Sequence, residues 1–329
     1  MATALSVLLT MILFLVSWNS ETTAQTQPIV LGYSGAGIST DLRGVIENEK
    51  LWEKNGLNVR SVYLNSGSVL ARAMVAGDIT LSDSDVPSML NVAVSGLLDI
   101  KVIAITINRL EHYFVASKTI SKPADLKGKR VAVSSIGSAS DATTRMVLRF
   151  WKLNPEKDLT ILSSGNTPSR IAALTVGHID AAFVDPNHLH MVLATGCCRV
   201  LADLAELPLD YARFGVAVPT SMIKTQRETA RRILMAYIEG IHIFKTRPQI
   251  ALPVLKKEGL KDPQIAKAVY DRLSRSLREY PIPDATGMQA VLDSLGNPKA
   301  RGTKAEDFMD MSLAEEIKKS GFIDRLYGQ

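Results

Sequence analysis

Cysteine is scarce in this sequence: two in 329 residues, adjacent at Cys197 and Cys198. Neighbouring cysteines close a strained ring when they bond to each other, so no disulfide is expected and stability must come from a packed core. A chain of this length buries such a core without disulfide or metal staples. Basic runs are missing too. Lys and Arg number 38 against 33 acids, a net charge of +5, with no run of five or more, so nothing in the charge asks for a nucleic-acid partner. Beyond residue 24 no apolar stretch reaches the ~20 residues that span a bilayer. Nucleotide motifs also fail. Gly35-Ala36-Gly37 would need glycine at Thr40 to complete a dinucleotide fingerprint, and no Walker A pattern occurs. A Gly-x-Ser-x-Gly elbow is missing, and no acid–base pair stands out by spacing, so no catalytic residue and no cofactor is expected.

What the sequence does contain begins at its N-terminus. Leu5 to Val16 is an apolar run of about a dozen residues, followed by polar residues and the small Thr22-Thr23-Ala24. This reads as a secretory signal over residues 1–24, although its basic start is missing; an uncleaved anchor is the alternative. Cleavage after Ala24 leaves 305 residues with net charge +6. No cysteine follows the apolar run, as a lipoprotein requires. The expected location is the periplasm.

Short β-rich runs then alternate with amphipathic helical stretches. Strands are predicted over 28–33, 57–64, 79–82 and 100–107, with helices over 40–55, 69–76 and 87–95 between them. The order recurs, with strands over 130–134, 159–162 and 180–184 and helices over 140–151 and 169–176. Such alternation argues for an α/β protein with mainly parallel sheets. The two segments match at an offset of 100 residues: Gly37 with Gly137, Asp41 with Asp141, Gly77 with Gly177, Ile79 with Ile179, Asp85 with Asp185. A period of 100 is too long for a solenoid and points to two similar lobes. From about Lys224 the pattern turns helical, with helices predicted over 226–246, 262–278 and 286–295. Connections between lobes are expected at 107–113 and 204–215.

Ligands of open α/β sheets bind beyond the carboxyl ends of the strands, at helix N-termini. There the sequence offers Ser34, Gly35, Ser39 and Thr40 in one lobe, and Ser135, Gly137, Ser138 and Ser140 in the other. Further loop ends add Asn65, Ser66 and Ser68, Ser84 and Asp85, Asn108, and Asp185. Small hydroxyls, amides and exposed N–H groups of this kind suit a small polar or anionic ligand, though each is also an ordinary helix cap. Arg109 and Arg170 are candidate partners for an anionic group. Asp185, His188 and His190 form a D-x-x-H-x-H cluster that lacks a fourth ligand and matches no zinc spacing, so no metal is expected.

Several segments carry a family pattern: Ile29–Tyr33, Leu51-Trp52-Glu53-Lys54-Asn55-Gly56-Leu57-Asn58-Val59, Ala76-Gly77-Asp78-Ile79, Pro123–Val131, and Ala172–Ala182 with its Val176-Gly177-His178-Ile179-Asp180 core. In order and spacing they resemble the substrate-binding proteins of ABC importers, of the nitrate/sulfonate/taurine and thiamine-pyrimidine-precursor group. The resemblance runs from Pro28 to about Pro219. It implies a two-lobed, type II periplasmic-binding fold, with two parallel or mixed sheets, flanking helices and a ligand cleft between lobes. Lobe 1 is then 25–109 plus 208–329, and lobe 2 is 110–207. It also implies a monomer that closes on a small-molecule solute and delivers it to a membrane permease. Ligand contacts would come from Ser34 to Thr40, Asn65 to Ser68, Ser84-Asp85 and Ser135 to Ser140. The rival readings are a thiamine-pyrimidine-synthase-like enzyme and a ligand sensor for a membrane receptor. In such an enzyme a reactive Lys and His follow the third strand, and Ser82 to Ser88 contains neither.

Overall fold

The computed structural model describes residues 28–34, 38–257 and 259–328, with backbone alone at Ile38 and Ser39. The expected export segment and Gly35 lie outside the described residues. β1 (Ile29–Ser34) leads to α1 (Ile38–Asn48), α2 (Leu51–Lys54), β2 (Val59–Leu64), α3 (Gly67–Ala76), β3 (Leu81–Asp85), α4 (Val86–Ala93) and β4 (Ile100–Arg109). The chain then passes into β5 (Tyr113–Ser117), β6 (Arg130–Val133), α5 (Ala139–Phe150), β7 (Thr160–Ser163), α6 (Thr167–Thr175), β8 (Ala181–Val184), α7 (Leu189–Ala194) and β9 (Cys198–Asp203). β10 (Asp210–Pro219) precedes α8 (Thr220–Thr225), α9 (Arg227–Thr246), α10 (Pro248–Lys257), α11 (Pro263–Ser276), α12 (Ala285–Ser294), α13 (Ser312–Lys319) and α14 (Phe322–Tyr327).

These strands form two five-stranded sheets, ordered β2-β1-β3-β10-β4 and β7-β6-β8-β5-β9. In each, three strands run parallel and the fourth is antiparallel to both its neighbours. The repeat read from the sequence is therefore also a repeat of topology, with β10 and β5 in the same place. The sheets are mixed, because β5 and β10 enter from the connections between sheets instead of through a crossover helix. The chain crosses twice, between β4 and β5 and between β9 and β10.

Two sequence expectations change. The helix predicted over 40–55 is broken into α1 and α2, because Lys50 adopts a left-handed φ of 52° that no continuous helix allows. Cys197 and Cys198 are bonded to each other, contrary to expectation. Their Cα atoms are 3.8 Å apart, below the usual disulfide range. The pair is accommodated where the chain reverses from α7 into β9, just after Gly196 at φ 66°.

Packing holds both crossings in place. The 20-residue α9 buries Ile233, Leu234, Tyr237, Ile238, Ile241 and Phe244, a stripe at helical spacing that covers one face of the first sheet together with Leu42 and Ile46 of α1. Burying each such side chain is worth about 1.5–3 kcal/mol. On the other side one cluster joins Leu90 of α4, Val147 and Leu148 of α5, Tyr211 and Ala212 of β10, and Met288, Val291 and Leu292 of α12. Thus α12, from the C-terminal section, packs where the two sheets meet.

Candidate functional site

The carboxyl ends of the parallel strands of both sheets face a common cavity of about 150 Å³. That is small beside the ~300–1,000 Å³ of drug-sized pockets and fits a solute of few heavy atoms. Ser34, Asn65, Ser66, Gly67 and Asp85 line it from the first sheet, and Ser134, Ser140, Asn166, Thr167, Arg170 and Asp185 from the second. Arg213 and Phe214, on β10, and Phe183 complete the wall.

Of the residues expected at the site, Ser34, Asn65, Ser66, Asp85, Ser140 and Asp185 line this cavity. Ser84 stands behind Ser34. Ser68 and Ser135 meet across the sheets, Oγ to Oγ, at 2.8 Å. Ser138 is buried as the N-cap of α5, and the Gly137 carbonyl accepts from Asn91 at 3.1 Å. Thr40 is buried in the first turn of α1 and is not among the lining residues; the Ser39 side chain, like Gly35, lies outside the described residues. Asn108 is not brought to this cavity: it lines a different one, with Arg109, Leu207 and Pro208. β4 is the outer strand, separated from β3 by β10, which sets its end one strand further from the central cavity.

The two sheet ends repeat in chemistry with one instructive difference. Asp85 caps α4, its Oδ1 accepting the Ser88 N–H at 2.9 Å, while its Oδ2 accepts the Ser84 hydroxyl at 3.2 Å. Asp185 makes no cap; it accepts from His112 Nε2 at 2.9 Å and from the Thr167 hydroxyl. Burial by itself would raise the Asp185 carboxyl. The His112 hydrogen bond and the charges of His112, His188 and Arg170 overcome it and hold the group well below the usual carboxylate range. Arg170 is equally enclosed. It donates to the carbonyls of Phe183 and Gly165 and to Thr167 Oγ1, and burial lowers its pKa. Asp185 and Arg170 are therefore framework charges with their partners inside the protein.

Arg213 is not. His112 Nε2 stands 2.9 Å from an oxygen of Asp185 and 3.2 Å from Arg213 Nη2. A carboxylate only accepts and a guanidinium only donates, so one ring nitrogen serves just one of them. At 2.9 Å the carboxylate requires the proton, which leaves Nη2 without an acceptor. Nε and Nη1 of Arg213 are buried without any partner among the described residues. The guanidinium lies over the Phe214 ring at 4.2 Å, and the side chain is 5% exposed. A buried cation with no acceptor is strongly unfavourable by itself, and an anionic ligand group in the cavity relieves it. Sequence reading missed Arg213 and His112; the one signal was a lone arginine inside the apolar run Tyr211–Val218.

His188 also lines the cavity, and burial lowers its pKa. Its Nδ1 is 3.8 Å from Asp185 Oδ2. Among the described residues no group of three His, Cys, Asp or Glu is arranged to hold a metal ion, and no helix is long and apolar enough to cross a membrane.

Residues 47–251 match the family model described as NMT1/THI5 like. The chain is 34% identical over 134 residues to the taurine-binding periplasmic protein of Escherichia coli K12, a match covering 40% of each protein. It spans less than half the length of the curated relatives it matches. Among solved structures, it is similar to the alkanesulfonate-binding protein SsuA from Xanthomonas axonopodis pv. citri, with TM-score 0.69 and 18% identity over 81% of this chain and 90% of that one. It is likewise similar to the nitrate-binding protein NrtA from Synechocystis PCC 6803, with TM-score 0.72 and 13% identity over 90% and 89%. At these identities the likeness is one of fold, the α/β architecture of periplasmic binding proteins.

Proposed function

The chain belongs to the NMT1/THI5-like family, and from that premise we propose that it is the solute-binding component of an ABC importer. On this reading it captures a small polar or anionic organic solute outside the cytoplasm and hands it to a membrane permease. It works as a non-enzymatic monomer, exported by way of residues 1–24. The two sheets belong to two lobes, 25–109 with 208–329 and 110–207, that close over the cavity about the two chain crossings. The single observation that carries the reading is Arg213: a buried guanidinium without an acceptor, in a cavity built from both sheets. Relatives named for taurine, alkanesulfonate and nitrate support an acidic ligand.

A thermal-shift and calorimetric screen of the mature protein tests this, using sulfonates, carboxylates, nitrate, pyrimidines and aromatic acids. A ligand at 100 times its Kd adds about 2.7 kcal/mol of stability. Arg213→Gln should weaken binding of any acidic hit by roughly 10- to 100-fold, the worth of a charge-assisted hydrogen bond of about 1.5–3 kcal/mol. Acid binding that is indifferent to Arg213, or steady turnover of a screened compound, would sink the proposal.

A further inference from the structure

The cavity holds a second charge without a counterion, of the opposite sign. Asp85 lines the same cavity as Arg213; its side chain accepts from the Ser88 N–H and the Ser84 hydroxyl, and its Oδ2 packs against Gly67 at the start of α3. Both residues are buried, 6% and 5% exposed, and they form no ion pair with each other or with any other described residue. The fold thus holds a carboxylate and a guanidinium apart in one small cavity. The Asp85 charge is met by hydrogen bonds and a helix N-terminus but by no cation, and the Arg213 charge has no acceptor at all; a ligand carrying both signs compensates both.

The hydroxyls beside Asp85 are polarised in the same sense. Ser34 and Ser84 share a 2.6 Å contact, and Ser84 donates its single proton to Asp85. Ser34 must then donate to Ser84, because a hydroxyl has one proton and a carboxylate donates none. Ser34 consequently turns an oxygen lone pair toward the cavity. The Asp85 end is a set of acceptors, and the Arg213 end is a set of donors.

We infer that the cavity selects a small zwitterion, a solute carrying a protonated amine for Asp85 and Ser34 and an acid group for Arg213, and discriminates against plain anions. This rests on the solute-receptor reading above and narrows it. Asp85 is the specificity-determining residue, and Arg213 anchors the acid of either class of ligand. A cavity of about 150 Å³ restricts the linker between the two groups to a few atoms.

The test uses matched pairs on the mature protein: 2-aminoethanesulfonate with ethanesulfonate, and 3-aminopropanoate with propanoate, with nitrate as a plain anion. Calorimetry should show the amino member of at least one pair binding tenfold or more tightly than its partner. Asp85→Asn removes the charge but retains an oxygen to cap α4, so the fold survives. It should bring the ratio within a pair close to one, the amino member losing its advantage over its amine-free partner. Asp85→Ser, a second capping residue, should do the same, and both variants are checked by circular dichroism. Arg213→Gln should weaken both members of a pair together. The inference is overturned if amine-free acids bind wild type equally well, or if the ratio survives both Asp85 variants. In those cases Arg213-dependent acid binding leaves the receptor reading standing. If no compound of the pairs or of the wider screen binds, the receptor reading fails as well.

Discussion

Two aspartates 100 positions apart show how much a single residue depends on what the chain brings beside it. Asp85 ends β3 and Asp185 directly follows the equivalent β8, and both were expected at the site from their places at these strand ends. The structure makes one a helix cap exposed to the cavity and the other part of an internal charge network. The difference lies in His112, 73 positions from Asp185, and in Arg213, 101 positions from His112. No local pattern announces such contacts, which explains why sequence reading found the aspartates and missed His112 and Arg213. Asp185→Asn should cost about 3 kcal/mol or more at neutral pH, since it leaves buried cations unpaired. The Asp185 carboxyl is depressed in the folded protein, so its contribution is full above the ordinary carboxylate range, near pH 4. It is lost only as pH falls through the folded value. Urea unfolding of wild type and variant should therefore show a constant gap from pH 5 to 8. His188 carries the opposite charge chemistry. Burial lowers its pKa, so the unfolded chain takes up its proton first, and stability should fall as pH drops below about 6.5. His188→Gln should flatten the decline between about pH 6.5 and 5; an unchanged slope would show that His188 does not contribute.

Elements were legible where their signals are local. α3 and α6 occupy matching places, start at Ser66 and Asn166, whose side chains accept from Val69 and Ser169, and are followed by glycines in left-handed conformation, Gly77 at φ 84° and Gly177 at φ 73°. Capping chemistry and glycine stops of this kind can be read directly from the sequence. No heavy atom outside the immediate chain lies within 4 Å of a Cβ built at either glycine. Gly77→Ala and Gly177→Ala should hence each cost only the left-handed backbone penalty, about 1 kcal/mol, measured by urea unfolding. A cost of several kcal/mol would mean the helix ends are packed and not simply capped. β5, β9 and β10 were missed because their partners are far away in sequence. β10 reads as a connection, and only antiparallel pairing with both β3 and β4 makes it the fourth strand of the first sheet. α7, α8, α10, α13 and α14 were also unread.

For the whole molecule the decisive contacts join the two halves. Besides Ser68 with Ser135, the Ala139 N–H donates to Ser88 Oγ, Asn91 donates to the Gly137 carbonyl, and Asn187 donates to Asp41, each at 3.1 Å. Gly137 sits at φ 79°, and a Cβ there would stand 2.7 Å from Asn91 Nδ2. Gly137→Ala should thus displace the Asn91 amide and break that bond between the halves, on top of the left-handed backbone penalty, a loss of about 1–2 kcal/mol in urea unfolding. An unchanged unfolding free energy would contradict this. By itself the sequence determined the α/β class, the internal repeat, the capped helices and the Ser-, Gly- and Asp-rich loops at the strand ends, because each follows from periodicity or from bonds within a few residues. Tertiary structure alone decided that β5 and β10 cross between sheets, that the two adjacent cysteines bond to each other, and that Arg213 and Asp85 stand unpaired in one cavity. Those outcomes depend on which distant segments meet and on which buried charges find partners there, and pairing at such distances leaves no mark on neighbouring residues. The scarcity of cysteine meant a core built by packing, and the one disulfide present spans a single peptide bond.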